Sequence, residues 1–179
     1  MNKYIIIIAI FILNSCCKEG IGTHYPLSND EKNMVTYSIN DSLILTHSNG
    51  TDFKFLVTNK ESGTGGSDVK HCGDSYYTYD TEITSFTSNT SELLINLEIA
   101  PEEIYPYLTI TVNRINFNLN VYESPNLDSL VINGVIYYDI YGSSYNLDST
   151  VIQPKGIWYN NDKGILQLTM TNNEKYSIK

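Results

Sequence analysis

The sequence predicts an all-β protein, and three observations predict it. The chain carries 22 Ile, 15 Tyr and 16 Thr, the residue types that suit a half-buried pleated surface. It carries only 2 Ala, the strongest helix former, and no segment shows an apolar stripe of helical period. From Met34 onward, apolar and polar residues alternate with period two. The expected architecture is a single domain over 34–179. It is an antiparallel meander of about 10–12 strands, which must curl to cover its apolar face and edges. A barrel, a half-barrel and a sandwich all satisfy that requirement.

The first residues stand apart from the fold. Met1-Asn2-Lys3 is a short basic start, and an unbroken apolar run follows from Tyr4 to Leu13. That run is too short for a membrane-spanning helix, which takes about 20 residues. Leu13-Asn14-Ser15-Cys16 resembles a bacterial lipobox. The resemblance implies a lipoprotein signal peptide over 1–15, cleaved before Cys16, with diacylglycerol on the Cys16 thiol and a further acyl chain on its new amino group. Several chains together anchor stably, at roughly 0.8 kcal/mol per buried CH₂. Cys17 stands where an inner-membrane retention signal has Asp. Lys18-Glu19 resembles the charged export signals of Bacteroidota surface lipoproteins. These resemblances imply a cell-envelope protein held at the outer membrane by its lipid, on either face. Residues 16–33 read as the lipidated cysteine and a tether, with Gly20, Gly22 and Pro26 and a single helical turn capped by Ser28.

The strands follow in order. Segments 43–48 and 51–58 flank Asn49-Gly50, a strong hairpin signal; a two-residue turn there puts Ile44 opposite Phe55 and Thr46 opposite Phe53. Residues 60–70, with Gly63, Gly65 and Gly66, read as a flexible loop. Leu93, Ile95, Leu97 and Ile99 form an inward row, and Ala100-Pro101-Glu102-Glu103 starts a single turn. Segments 107–113 and 115–121 meet at Asn113-Arg114. That turn pairs Val112 with Ile115, Ile110 with Phe117 and Leu108 with Leu119 on one apolar face. Thr111 with Asn116 and Thr109 with Asn118 fall on the wet face. A second Asn-Gly turn, Asn133-Gly134, places Val131, Ile136, Tyr138 and Ile140 on one face. Near the end, 156–160 and 165–171 flank a turn at 161–164, with Leu166, Leu168 and Met170 inward, and 175–178 closes the chain.

The stretch from about 130 to 178 has a Gly-initiated Tyr-rich strand (Gly134 to Tyr141), then Ile157-Trp158-Tyr159, then Gly164-Ile165-Leu166. It resembles the ending of uncharacterised Bacteroidota (Flavobacteriia-like) lipoproteins. The resemblance implies no chemistry.

The function classes narrow by composition and spacing. One Arg and a formal net charge of -9 argue against a phosphate-binding or nucleic-acid surface. His24, His47 and His71 have no metal-ligand spacing, and no nucleophile elbow, P-loop or dinucleotide fingerprint occurs. The expectation is a non-catalytic protein without metal or cofactor. Cys17 and Cys72 are the thiols left after lipidation; they either pair in an oxidising envelope or Cys72 stays free and buried. Asp80 and Glu82 share a strand face about 7 Å apart, near a glycosidase separation, and Glu102-Glu103 is a second acidic pair. Tyrosines gather at 76–79, 137–141 and 159 beside Trp158. Of these aromatics Tyr77, Tyr79, Tyr138 and Trp158 are the candidate ligand-facing set, since such rings offer an apolar body and a polar edge. Ser42, Ser129 and Ser149, in Asp-Ser-apolar or Asp-Ser-Thr tripeptides, resemble Bacteroidota O-glycosylation acceptors. The expected role is a lipid-anchored binding or structural β-module whose partner is a glycan or an envelope protein. The alternatives are a glycan-active hydrolase using surface carboxylates, or a carrier of an apolar ligand inside a curled sheet.

Overall fold

A computed structural model describes residues 22–67, 75–146 and 150–179. They form β1 (Gly22–Tyr25), α1 (Asn29–Asn33), β2 (Ser42–His47), β3 (Asp52–Gly66), β4 (Tyr76–Thr87), β5 (Ile95–Ile99) and β6 (Leu108–Val112). β7 (Ile115–Leu119), β8 (Leu127–Ile132), β9 (Val135–Ser144), β10 (Pro154–Asn160), β11 (Gly164–Met170) and β12 (Lys175–Ile178) complete the chain. The spatial order is β7-β6-β5-β4-β3-β2-β12-β11-β10-β9-β8, so the last strand joins the two halves by pairing with β2. Every ladder is antiparallel except that of β1, which runs parallel to the start of β4. The expected antiparallel meander is therefore what forms. The sheet curls until β7 lies beside β9 and β10, but no ladder joins them among the described residues. At the seam the Tyr145 hydroxyl donates to the Asn116 carbonyl, and the Tyr145 and Phe117 rings lie 5.5 Å apart.

The hollow of the curl is filled by side chains. Leu45, Phe55, Ile95, Leu97, Ile99, Leu108, Ile110, Phe117, Tyr159, Ile165 and Leu168 are fully buried there. The hairpin of β6 and β7 has the expected register, Val112 to Ile115 through Leu108 to Leu119. On its wet face Thr111 donates to Asn116 Oδ1 at 2.9 Å and Thr109 to Asn118 Oδ1 at 3.1 Å. A smaller cluster of Ile132, Ile140 and Leu166, with Tyr137 and Trp158 against it, packs on the other side of the sheet; Leu166, expected inward beside Leu168 and Met170, is turned away from them where the β10–β11 register shifts between Trp158 and Tyr159.

Four further expectations need correction. In the β2–β3 hairpin the pairs are Leu43 with Phe55 and Leu45 with Phe53, one residue away from the expected register. The cause is loop length. His47 N–H donates to the Thr51 carbonyl and Gly50 adopts φ +89°, so Ser48-Asn49-Gly50 is a three-residue loop with its last residue left-handed. In the β8–β9 hairpin the register is as expected, but Val131, Ile136 and Tyr138 point outward, 63%, 53% and 62% exposed. Asp139 at φ +53° breaks the alternation and turns Ile140 into the smaller cluster with Ile132 and Leu166.

The glycine-rich run, expected to be a loop from 60, instead extends β3 to Gly66. There the Tyr79 ring lies on its cross-strand partner Gly65, and a Cβ on that glycine would fall 2.3 Å from the ring. Glycine in this strand makes room for an aromatic from its neighbour.

Finally, the segment read as tether is docked from Gly22 onward. β1 takes the length of β4 that β5 does not reach, and Leu27 is buried in the core. Ser28 does cap α1. Its hydroxyl accepts the Glu31 N–H at 3.2 Å, while a Glu31 carboxylate oxygen accepts the Ser28 N–H at 2.7 Å, a reciprocal capping box. The remaining carboxylate oxygen of Glu31 accepts the Glu102 N–H at 2.8 Å and ties α1 to the β5–β6 connection.

Candidate functional site

The outer face of β4 to β7 carries the candidate site. Because alternate residues face opposite sides, the strands that bury Ile95, Leu97, Ile110 and Phe117 present Glu98, Thr109, Asn116 and Asn118 outward. Tyr79 on β4 stands at one border. The β5–β6 connection supplies the other wall: Ile104 and Tyr105 N–H both donate to the Pro101 carbonyl, and Tyr107 N–H donates to the Tyr105 carbonyl. This tight turn leaves Tyr105 and Tyr107 exposed. Tyr79, Glu98, Tyr105, Tyr107, Asn116 and Asn118 thus line a cleft of about 250 Å³, which is below the ~300 Å³ or more of drug-sized sites and suits a single small ring.

The chemistry of the cleft is that of stacking and hydrogen bonding. Tyr77 and Tyr79 stack at 6.2 Å between centroids, and Tyr25 meets Tyr77 edge-on at 6.3 Å, so the cleft continues into an aromatic row. Partial burial pushes the Tyr79 hydroxyl above its usual range, with Tyr105, the Glu98 carboxylate and Tyr77 adding to the rise; it stays a protonated donor. Thr109 and Thr111 occupy the Oδ1 atoms of Asn118 and Asn116, which leaves the amide NH₂ groups as donors. Glu98 is the one carboxylate among the lining residues.

Of the four expected ligand-facing aromatics, Tyr77 and Tyr79 share this surface. Trp158 lines a separate groove across the seam. Tyr138 stands on the outward face of β9, its carbonyl accepting from Asn160 Nδ2 at 3.2 Å. Tyr141 and Tyr159, from the same aromatic clusters, are core residues. Burial pushes the Tyr159 hydroxyl up, and it donates to the Met34 carbonyl. The tyrosines that shape the cleft, Tyr105 and Tyr107, lay outside the expected set. The signal for Tyr107 was its place on the wet-face alternation with Thr109; Tyr105 is positioned by the Pro101 turn.

The carboxylates considered for acid–base work are separately engaged. Asp80 faces His24 Nε2 at 3.4 Å and accepts the Leu27 N–H at 3.3 Å. Glu82 pairs with Lys60 Nζ at 3.0 Å. Glu102 and Glu103 are exposed in the turn after β5. Ser42 and Ser129 are exposed, at the start of β2 and on β8. Cys16, Cys17, His71, Cys72 and Ser149 lie outside the described residues. Among the described residues no three His, Cys, Asp or Glu side chains gather as a metal site, and no helix is long and apolar enough to cross a membrane.

No family model matches the chain, and neither does any curated protein or solved structure.

Proposed function

We propose that the protein is a lipid-anchored, non-catalytic saccharide-binding module of the cell envelope, held at the outer membrane through Cys16. The observation that carries the binding role is the outer-face cleft. Its three tyrosines, Tyr79, Tyr105 and Tyr107, surround the amide, hydroxyl and carboxylate groups of Asn116, Asn118, Thr109 and Glu98. A sugar ring has an apolar face that packs on aromatic rings and a rim of hydroxyls that donates to a carboxylate and accepts from amides. Binding is favoured over hydrolysis because glycoside cleavage ordinarily takes two carboxylates flanking one bond, and the cleft offers Glu98 alone. Anchoring rests on the lipobox-like Leu13-Asn14-Ser15-Cys16.

The binding role is tested by probing a glycan array with the full chain in detergent micelles. A saccharide signal is expected, reduced at least tenfold by Tyr105→Ala and by Tyr107→Ala. A blank array, or a signal indifferent to both substitutions, overturns it. Anchoring is tested separately, by incorporation of a labelled fatty acid that Cys16→Ala abolishes.

A further inference from the structure

We infer that the groove beside Trp158 is a second saccharide subsite, so that the protein holds a chain of neutral sugars across its outer face; this rests on the reading of the first cleft. The groove encloses about 530 Å³ over β9 and β10. Trp158 and the Gly142 it covers line it together with Gly156, Ser144, Asn126 and Lys155.

The two glycines have different causes. Gly142 is the cross-strand partner of Trp158, and a Cβ there would strike the indole at 2.1 Å. Gly156 has no such neighbour. A Cβ on it would meet only Ser144 Cβ at 3.5 Å, the Ser143 carbonyl at 3.7 Å and Thr169 Cβ at 3.9 Å, all ordinary contacts. Packing does not demand a glycine at 156; the bare position keeps the groove open beside an aromatic wall.

Topology joins this groove to the first cleft. Both open on the outside of the curl, on either side of the seam where β7 meets β9. Tyr145 spans that seam: it lines the groove, and its hydroxyl donates to the carbonyl of Asn116, whose residue lines the cleft. A linear saccharide seated between Tyr79 and Tyr105 therefore continues over Tyr145 towards Trp158. Glu98 in the cleft and the net charge of -9 oppose an anionic chain; Lys155, the one charged residue lining the groove, has its ammonium donating to Asn173 Oδ1 at 2.6 Å, and the balance favours neutral sugars.

The test is calorimetric titration of the full chain in micelles with di- and hexasaccharides of three series: β-1,4-glucan, α-1,4-glucan and β-1,4-linked N-acetylglucosamine. In at least one series the hexasaccharide is expected to bind ten or more times tighter than the disaccharide. Trp158→Ala should erase that advantage. Gly156→Val should do the same by filling the groove with a strand-compatible side chain, and its unchanged melting temperature shows that the fold persists if the tryptophan variant unfolds. A length advantage that survives Gly156→Val, or disaccharide binding without any length advantage, removes the second subsite and leaves the first reading standing. Absence of binding in all three series overturns both.

Discussion

The Trp158 ring lies against Gly142 at directly paired positions of β10 and β9, and the two fit only because one of them has no side chain. The same arrangement recurs where Tyr79 covers Gly65 and Tyr76 covers Gly22. An aromatic over a glycine replaces the missing cross-strand contact and shields the backbone beneath.

Gly142→Ala is therefore expected to destabilise the fold by about 1–3 kcal/mol, the cost of overpacking a fitted site. Adding Trp158→Ala to that variant should cost less than it does in the unaltered chain, because the ring that the new methyl strikes is gone. Urea unfolding of the two single variants and the double variant measures this coupling. Additive losses would show that the pair does not interact.

Arg114 marks an opposite case. Asn113 and Arg114 form the two-residue turn between β6 and β7, with φ of +50° and +71°. A left-handed conformation costs an L-residue roughly 1–2 kcal/mol, and the second position of this turn type favours glycine, as Gly134 shows in the β8–β9 hairpin. Arg114→Gly should raise stability by about 0.5–1 kcal/mol, the glycine's larger unfolded-state entropy taking back part of the relief. The reading is a higher urea midpoint at unchanged slope.

The β6–β7 hairpin was fully legible in the sequence because alternation and turn agreed: only one register buries Leu108, Ile110 and Val112 against Phe117 and Leu119. The β2–β3 hairpin was not, because Asn49-Gly50 serves a two-residue or a three-residue loop equally well, and the choice shifts every pair by one. The direction of the β8–β9 face was hidden by a backbone event at Asp139 that no alternation pattern reports. The glycines at 63–66 carried two meanings, loop or cover for tyrosines, and the partner strand that decides between them is distant in sequence. β1 escaped notice because an edge on β4 exists only once the sheet has formed. The cleft was half visible: Thr109, Asn116 and Asn118 fell on the wet face by parity, whereas Tyr105 reaches it by a turn.

Lys60 and Glu82 form a largely enclosed ion pair on the inner side of the curl, their side chains 23% and 11% exposed, with Lys60 also donating to the Tyr37 carbonyl at 3.2 Å. Removing one partner leaves the other charge poorly solvated, which costs about 3 kcal/mol when a buried pair is broken. Glu82→Ala should approach that loss. Lys60→Met combined with Glu82→Leu should recover most of it, since an apolar pair of similar volume carries no desolvation cost. Thermal unfolding distinguishes the outcomes, and a double variant as unstable as Glu82→Ala would show that the charges themselves are needed.

Glu31 gives the fold an acid limit. Partial burial raises its carboxyl, but hydrogen bonds from the Ser28 side chain, the Glu102 amide and the Ser28 amide outweigh burial and hold it below the usual carboxylate range. A group whose folded value is depressed contributes stability above its unfolded value, near 4.3, and loses that contribution as pH falls through the folded value. The urea midpoint of the unaltered chain should therefore exceed that of Glu31→Gln at pH 7, and the gap should close as the pH falls below the unfolded value of about 4.3 and through the depressed folded one. The glutamine keeps the shape and part of the capping box, so the difference isolates the charge. Because Glu31 also grips the turn at Glu102 that carries Tyr105 and Tyr107, saccharide affinity should weaken over the same acid range in the unaltered chain. In Glu31→Gln it should already be lower at pH 7. A midpoint gap that does not change with pH would show that the Glu31 charge holds neither the cap nor the turn.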